Sequence, residues 1–170
     1  MKKEVIPHAG WNRNLFLAND HAEVIVTLDV GPRILSYKRP GGDNVFKNYE
    51  EQLGCSGEAE FMLRGGHRFW IAPEDEVITC HQDNFPVDYR IEDFTEEIVI
   101  DSLQTQCGRI MKTMGVTLAD NDSHVTVRHT ARNDGDEPIQ HDPSARRRHP
   151  AAGSRSPGFS RTASGYGITS

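Results

Sequence analysis

Short runs of alternating apolar and polar residues, each closed by a turn, constrain this chain more than any other feature of its sequence. Glu23 to Leu28 sets Val24, Val26 and Leu28 on one face and Ile25 and Thr27 on the other. Asp29-Val30-Gly31-Pro32 turns the chain, and Ile34 to Lys38 reads as the next strand. Arg39-Pro40-Gly41-Gly42-Asp43 is a dense turn signal. Val45-Phe46 reads as a short strand, and Asn48 to Leu53 as one helical turn closed by Gly54. Val87 to Ile91 and Glu97 to Asp101 flank the acidic turn at Glu92-Asp93. Arg109 to Leu118 keeps Ile110, Lys112, Met114, Val116 and Leu118 in step. After the turn Ala119-Asp120-Asn121-Asp122, His124 to Asn133 sets Val125, Val127, His129 and Ala131 inward and His124 outward. Such strands, with almost no helical periodicity and no internal repeat, predict an all-β fold, an antiparallel β-sandwich.

A length of 170 residues suits about one domain. The longest apolar runs, such as Phe69-Trp70-Ile71-Ala72, are far short of the roughly 20 residues of a membrane-spanning helix. The opening MKKEVIPHAGW has lysines but no apolar stretch behind them, so it does not read as a signal peptide. Cys55, Cys80 and Cys107 form no CxxC pair, which argues against a zinc ribbon or a disulfide framework and predicts free thiols in a reducing cytoplasm.

The charge breaks near residue 140. Residues 141–170 hold five arginines, no lysine and one acid, a net +4, while residues 1–140 carry −10. Ser, Arg, Gly, Ala and Pro fill 22 of those 30 positions, a composition that predicts a disordered basic tail. The mixture is what a GC-rich gene yields when read out of frame, so a frameshift or truncation product is the first reading. A basic arm centred on Arg146-Arg147-Arg148 and an ordinary flexible tail are the alternatives. Aromatic residues are sparse there and no nucleic-acid-binding fold precedes them, so neither nucleic acid nor membrane is expected as a partner.

Chemistry concentrates in residues 64–76, Arg-Gly-Gly-His-Arg-Phe-Trp-Ile-Ala-Pro-Glu-Asp-Glu. Gly65-Gly66 permits tight backbone geometry before a strand. His67 and Arg68 supply donors, Phe69 and Trp70 flat apolar faces, and Glu74, Asp75 and Glu76 acceptors. Sugars need this mixture, because their hydroxyls take hydrogen bonds while their C–H faces stack on aromatic rings. The plainer reading is a buried strand with Trp70 in the core. Two adjacent bulky donors after Gly-Gly are poor core material, which points His67 and Arg68 toward a pocket.

Three stretches resemble the galactose mutarotase-like superfamily, in particular its aldose-1-epimerase-like branch. They are Asn12 to Asp20 with Glu23 to Thr27, Gly31-Pro32-Arg33-Ile34-Leu35-Ser36-Tyr37, and Gly65-Gly66-His67-Arg68-Phe69-Trp70-Ile71-Ala72-Pro73-Glu74. The resemblance covers about residues 10–140; its last segment is the most specific. It implies a β-supersandwich that binds a hexose in a cleft. In active members a His protonates the ring oxygen and a Glu takes the anomeric proton, with no metal or other cofactor. Carried onto this sequence, it implies substrate-binding roles for His67, Arg68, Arg33, Trp70 and Glu74; a strand residue beside a turn is the plain alternative for Arg33.

Roughly half of the family's fold is absent. The acid His is expected just after Glu137-Pro138-Ile139, where the pattern breaks; the setting of His141 does not match, and no counterpart of the base Glu is present. The catalytic residues are therefore unassigned. The expectation is a partial sandwich domain over 1–140, a tail over 141–170, hexose binding, and no epimerase activity in the chain as it stands. Its strands from Arg109 to Leu118 and from His124 to Asn133 are then expected to show open edges and uncovered apolar faces, with Lys112 and Arg128 as their central charges. A non-catalytic carbohydrate-binding or structural interaction module is the alternative. His67, Glu74, His81 and Asp83 match no defensible metal-ligand spacing, and Cys80-His81 on one strand would point to opposite faces. No metal site and no Cys nucleophile is expected.

Overall fold

A computed structural model describes residues 1–71, 83–102 and 110–136, and the backbone of 159–161. The first sheet runs in chain order: β1 (Lys2–His8), β2 (Trp11–Ala18), β3 (Glu23–Thr27), β4 (Arg33–Lys38) and β5 (His67–Arg68). The second holds β6 (Val87–Ile91), β7 (Ile98–Ser102), β8 (Ile110–Leu118), β9 (Val125–Asn133) and β10 (Phe159–Arg161), again with sequential neighbours paired. All pairings are antiparallel except β10 against β9, which is parallel, with Phe159 beside Val125. Among the described residues the only helical piece is the single 3-10 turn Glu50–Gln52.

The inward residues of both sheets meet in one core. Leu15, Leu17, Val24, Val26, Leu28 and Ile34 come from the first sheet and its flanking turn; Ile98, Ile100, Met114, Val116, Val125 and Val127 come from the second. Each fully buried aliphatic side chain contributes on the order of 1.5–3 kcal/mol. The seam is also closed by hydrogen bonds: Val87 N donates to Leu28 O at 3.0 Å, the Tyr37 hydroxyl to Ser123 O at 2.7 Å, and Asn19 Nδ2 to Asp122 O at 2.8 Å. A smaller cluster of Trp11, Ile25, Val30 and Leu35 lies on the outer face of the first sheet, packed against Leu53. The chain is thus a two-sheet, all-β sandwich.

The alternation places most strands within a residue or two of their observed bounds. Val45-Phe46 is a bend rather than a strand. The expectation of uncovered apolar faces, and of an open edge on β8, is overturned, whereas β9 beyond Val127 has no second strand partner among the described residues. β8 lies between β7 and β9, and Met114, Val116 and Leu118 are buried in the core. Lys112 does not guard an edge; it is buried. The residues around Glu137-Pro138-Ile139, His141, Cys80-His81 and Cys107, and nearly all of the 141–170 tail, lie outside the described residues.

Candidate functional site

The site is assembled where the short strand β5 joins the edge of β4. Gly65 and Gly66 have φ of +85° and +71°, a region costly for residues with a side chain. A Cβ on either would collide with the carbonyl oxygen of Lys47 or of Ile34. With no side chain in the way, Gly66 N reaches Lys47 O at 3.0 Å and the chain enters β5. The register then sets His67 opposite Ile34 and Arg68 opposite Arg33.

Successive residues of a strand face opposite ways, and the segment after Gly66 sorts accordingly. His67 and Phe69 face β9. His67 is 7% exposed, its Nε2 lies 3.0 Å from His129 Nε2, and Phe69 stacks on the His129 ring at 4.6 Å. A hydrogen bond between two Nε2 atoms needs a proton on one and a lone pair on the other, so at least one imidazole is unprotonated at that nitrogen. Phe46 packs on the other side of His67 at 6.3 Å.

Arg68 and Trp70 go to the opposite side. The Arg68 guanidinium lies 3.9 Å from the centre of the Trp70 ring and 4.7 Å from that of Phe61, and Phe61 meets Trp70 edge-on at 5.9 Å. Trp70 is 42% and Phe61 47% exposed, so the reading of Trp70 as a core residue is overturned. His67 and Arg68, expected to line one pocket, are held apart by strand geometry. Glu74 lies outside the described residues.

Beneath this aromatic platform lies a group of buried charges. Arg33, Arg64 and Lys112 are all essentially unexposed. Lys112 Nζ pairs with Asp83 and donates to Phe69 O at 3.3 Å, which ties the chain after β5 to β8. Arg64 Nη2 pairs with Glu58 at 2.5 Å and Nη1 with Asn84, whose own Nδ2 donates to the Glu58 and Glu60 carbonyls. Arg33 Nη1 donates to the carbonyl oxygens of Leu63, at 2.9 Å, and Gly65. Burial, then repulsion from Arg68, pushes the Arg33 guanidinium down to about 10; Asp83 opposes that fall and Arg64 adds to it. Burial also holds Lys112 below the ordinary ammonium range, although Asp83 acts against it.

The sequence reading named His67, Arg68, Arg33 and Trp70 but assigned no site role to His129, Lys112, Asp83, Arg64 or Phe61. The one available signal is that Lys112 keeps step with Ile110, Met114 and Val116, although it is read in the sequence as a charge on an open-edged strand. Among the described residues no group of three His, Cys, Asp or Glu side chains could hold a metal ion, and no helix is long and apolar enough to cross a membrane. A separate groove of about 860 Å³ lies on the outer face of the first sheet, lined by Phe16, Ile25, Ser36, Lys38 and Asn48 among others, and by none of the predicted site residues. No family model, curated protein or solved structure matches the chain.

Proposed function

We propose that this protein binds a hexose or hexose derivative on the platform of Trp70, Phe61 and Arg68. The observation that carries the reading is the pair of half-exposed aromatic rings fixed edge-on, with a guanidinium stacked across both. Contiguous exposed apolar groups rimmed by polar residues mark binding surfaces, and these two rings adjoin each other in that way. A pyranose offers a C–H face to an aromatic ring, and the half-exposed Trp70 and Phe61 rings present that partner. The resemblance of Gly65 to Glu74 to aldose-1-epimerase-like proteins supports the same ligand class. In this reading His67 is a positioning residue, holding β5 through His129 while Arg68 faces the sugar. The proposal is of binding within an aldose-1-epimerase-like β-supersandwich; turnover is not part of it.

Calorimetric titration with glucose and galactose tests it. The wild type should bind at least one of them. Joint Trp70→Ala and Phe61→Ala substitution should weaken that binding about tenfold while leaving thermal unfolding nearly unchanged. A double variant that binds as tightly as wild type, or a wild type that binds neither sugar, would sink the reading.

A further inference from the structure

Each buried cation near the platform has a carboxylate, except one. Lys112 has Asp83 and Arg64 has Glu58. Arg33 is fully buried, and among the described residues no carboxylate lies within ion-pair distance of it. The charges that act on it are Arg68, Arg64 and a single aspartate, Asp83, which is already paired with Lys112. Arg68 stands directly opposite it in the strand register, and like charges in that position destabilise a sheet. A charge taken out of water without a counter-charge is among the most costly features a fold can carry.

The hydrogen bonding of Arg33 shows which of its edges is buried without a partner. Nη1 is engaged by the Leu63 and Gly65 carbonyls, whereas Nε and Nη2 are buried and have no hydrogen-bond partner. Nε–H and Nη2–H lie side by side along one edge of a guanidinium, and that edge matches the paired oxygens of a carboxylate or phosphate. We infer that Arg33 is an oxyanion-binding residue whose Nε/Nη2 edge receives the phosphate or carboxylate of a ligand, beside Arg68. Resting on the hexose reading, this makes the substrate class an anionic sugar, a sugar phosphate or a sugar acid, with its ring on Trp70 and Phe61 and its charge on Arg33. The lowered basicity of Arg33 accords with a cation that lacks its counter-ion.

The test titrates the full chain with inorganic phosphate, glucose, glucose 6-phosphate and glucuronate, at matched ionic strength, in wild type and in Arg33→Lys. The variant keeps the charge and removes the fork. Wild type should bind one of the two anionic sugars about tenfold to a hundredfold more tightly than glucose, and Arg33→Lys should bind the anionic sugar and glucose with about equal affinity. Which of the two is preferred distinguishes phosphate from carboxylate. Equal binding of glucose, glucose 6-phosphate and glucuronate by wild type would overturn the inference and leave the hexose reading standing. Phosphate binding that depends on Arg33, with no binding of any sugar, would uphold the oxyanion site and overturn the hexose reading. If Arg33→Lys fails to fold, the side-chain Nε–H resonance of Arg33 in the wild type decides. A saturable shift with phosphate and none with chloride supports the site, and no shift overturns it.

Discussion

Replacing Lys112 by Met probes the buried charge group directly. Lys112 is 1% exposed, and its ammonium holds two things at once, the Asp83 carboxylate and the Phe69 carbonyl that follows β5. Methionine fills a similar volume, so the cavity cost is small and the loss is electrostatic. It leaves Asp83, 9% exposed, with its buried charge uncompensated. Removing one partner of a buried pair typically costs about 3–5 kcal/mol, a large share of the roughly 5–15 kcal/mol by which domains are stable. Urea unfolding followed by tryptophan fluorescence should show that loss at neutral pH. The double variant Lys112→Met with Asp83→Asn should recover on the order of 2 kcal/mol of it, because the stranded charge is then gone. The pH dependence adds a second check. The folded-state pKa of Lys112 lies below its ordinary 10.5, so between those two values the unfolded chain binds more protons than the folded one. Stability from this group must therefore rise with pH across that window, and the margin of wild type over Lys112→Met should widen toward pH 10.5. A loss under about 1 kcal/mol, or single-variant effects that simply add, would refute the buried-pair reasoning.

Other consequences follow from single residues. Gly66→Ala should cost upwards of about 1 kcal/mol and detach β5 from β4, seen as loss of hydrogen-exchange protection at the amides of that pairing, since its φ is +71° and a Cβ would meet Ile34 O. Asn14→Leu should cost about 2–3 kcal/mol in chemical unfolding, because the fully buried Nδ2 donates to the Ile6, His8 and Trp11 carbonyls together. Arg128→Ala, which breaks an exposed pair with Glu97, should change stability by no more than about 1 kcal/mol.

The strands that alternate cleanly were legible because each buries one face and exposes the other. β8 and β9 are of that kind, whereas β3, β4 and β7 are buried at nearly every position and were legible as short apolar, β-branched runs between turns. β1 and β2 carried no such signal. β1 is an edge strand whose Lys2, Lys3 and Glu4 interrupt any alternation, and in β2 Trp11 is followed by Asn12-Arg13-Asn14, of which Asn14 is buried to satisfy three carbonyls of its neighbours. The tight entry at Gly65-Gly66 was legible because only glycine suits that backbone. The exposure of Trp70 was not, since nothing local says which face of a two-residue strand meets solvent. Nor was the His67–His129 bond, which joins residues 62 positions apart across two sheets. Lys112 shows the limit most clearly. It keeps step with the apolar residues of its strand, which is compatible with burial, but its partner Asp83 lies 29 residues earlier, and only the packing of β8 against the chain after β5 brings the charges together.

The account centres on a sugar seated on the platform, and nuclear magnetic resonance mapping locates it most directly. Titrating the wild-type chain with glucose, galactose and glucose 6-phosphate should shift the Trp70 indole N–H and the Arg68 backbone amide saturably with at least one of them, and leave the amides of Phe16, Ile25 and Ser36 in the outer groove unmoved. Saturable shifts confined to the outer groove at Phe16, Ile25 and Ser36, or none anywhere at millimolar sugar, would contradict it.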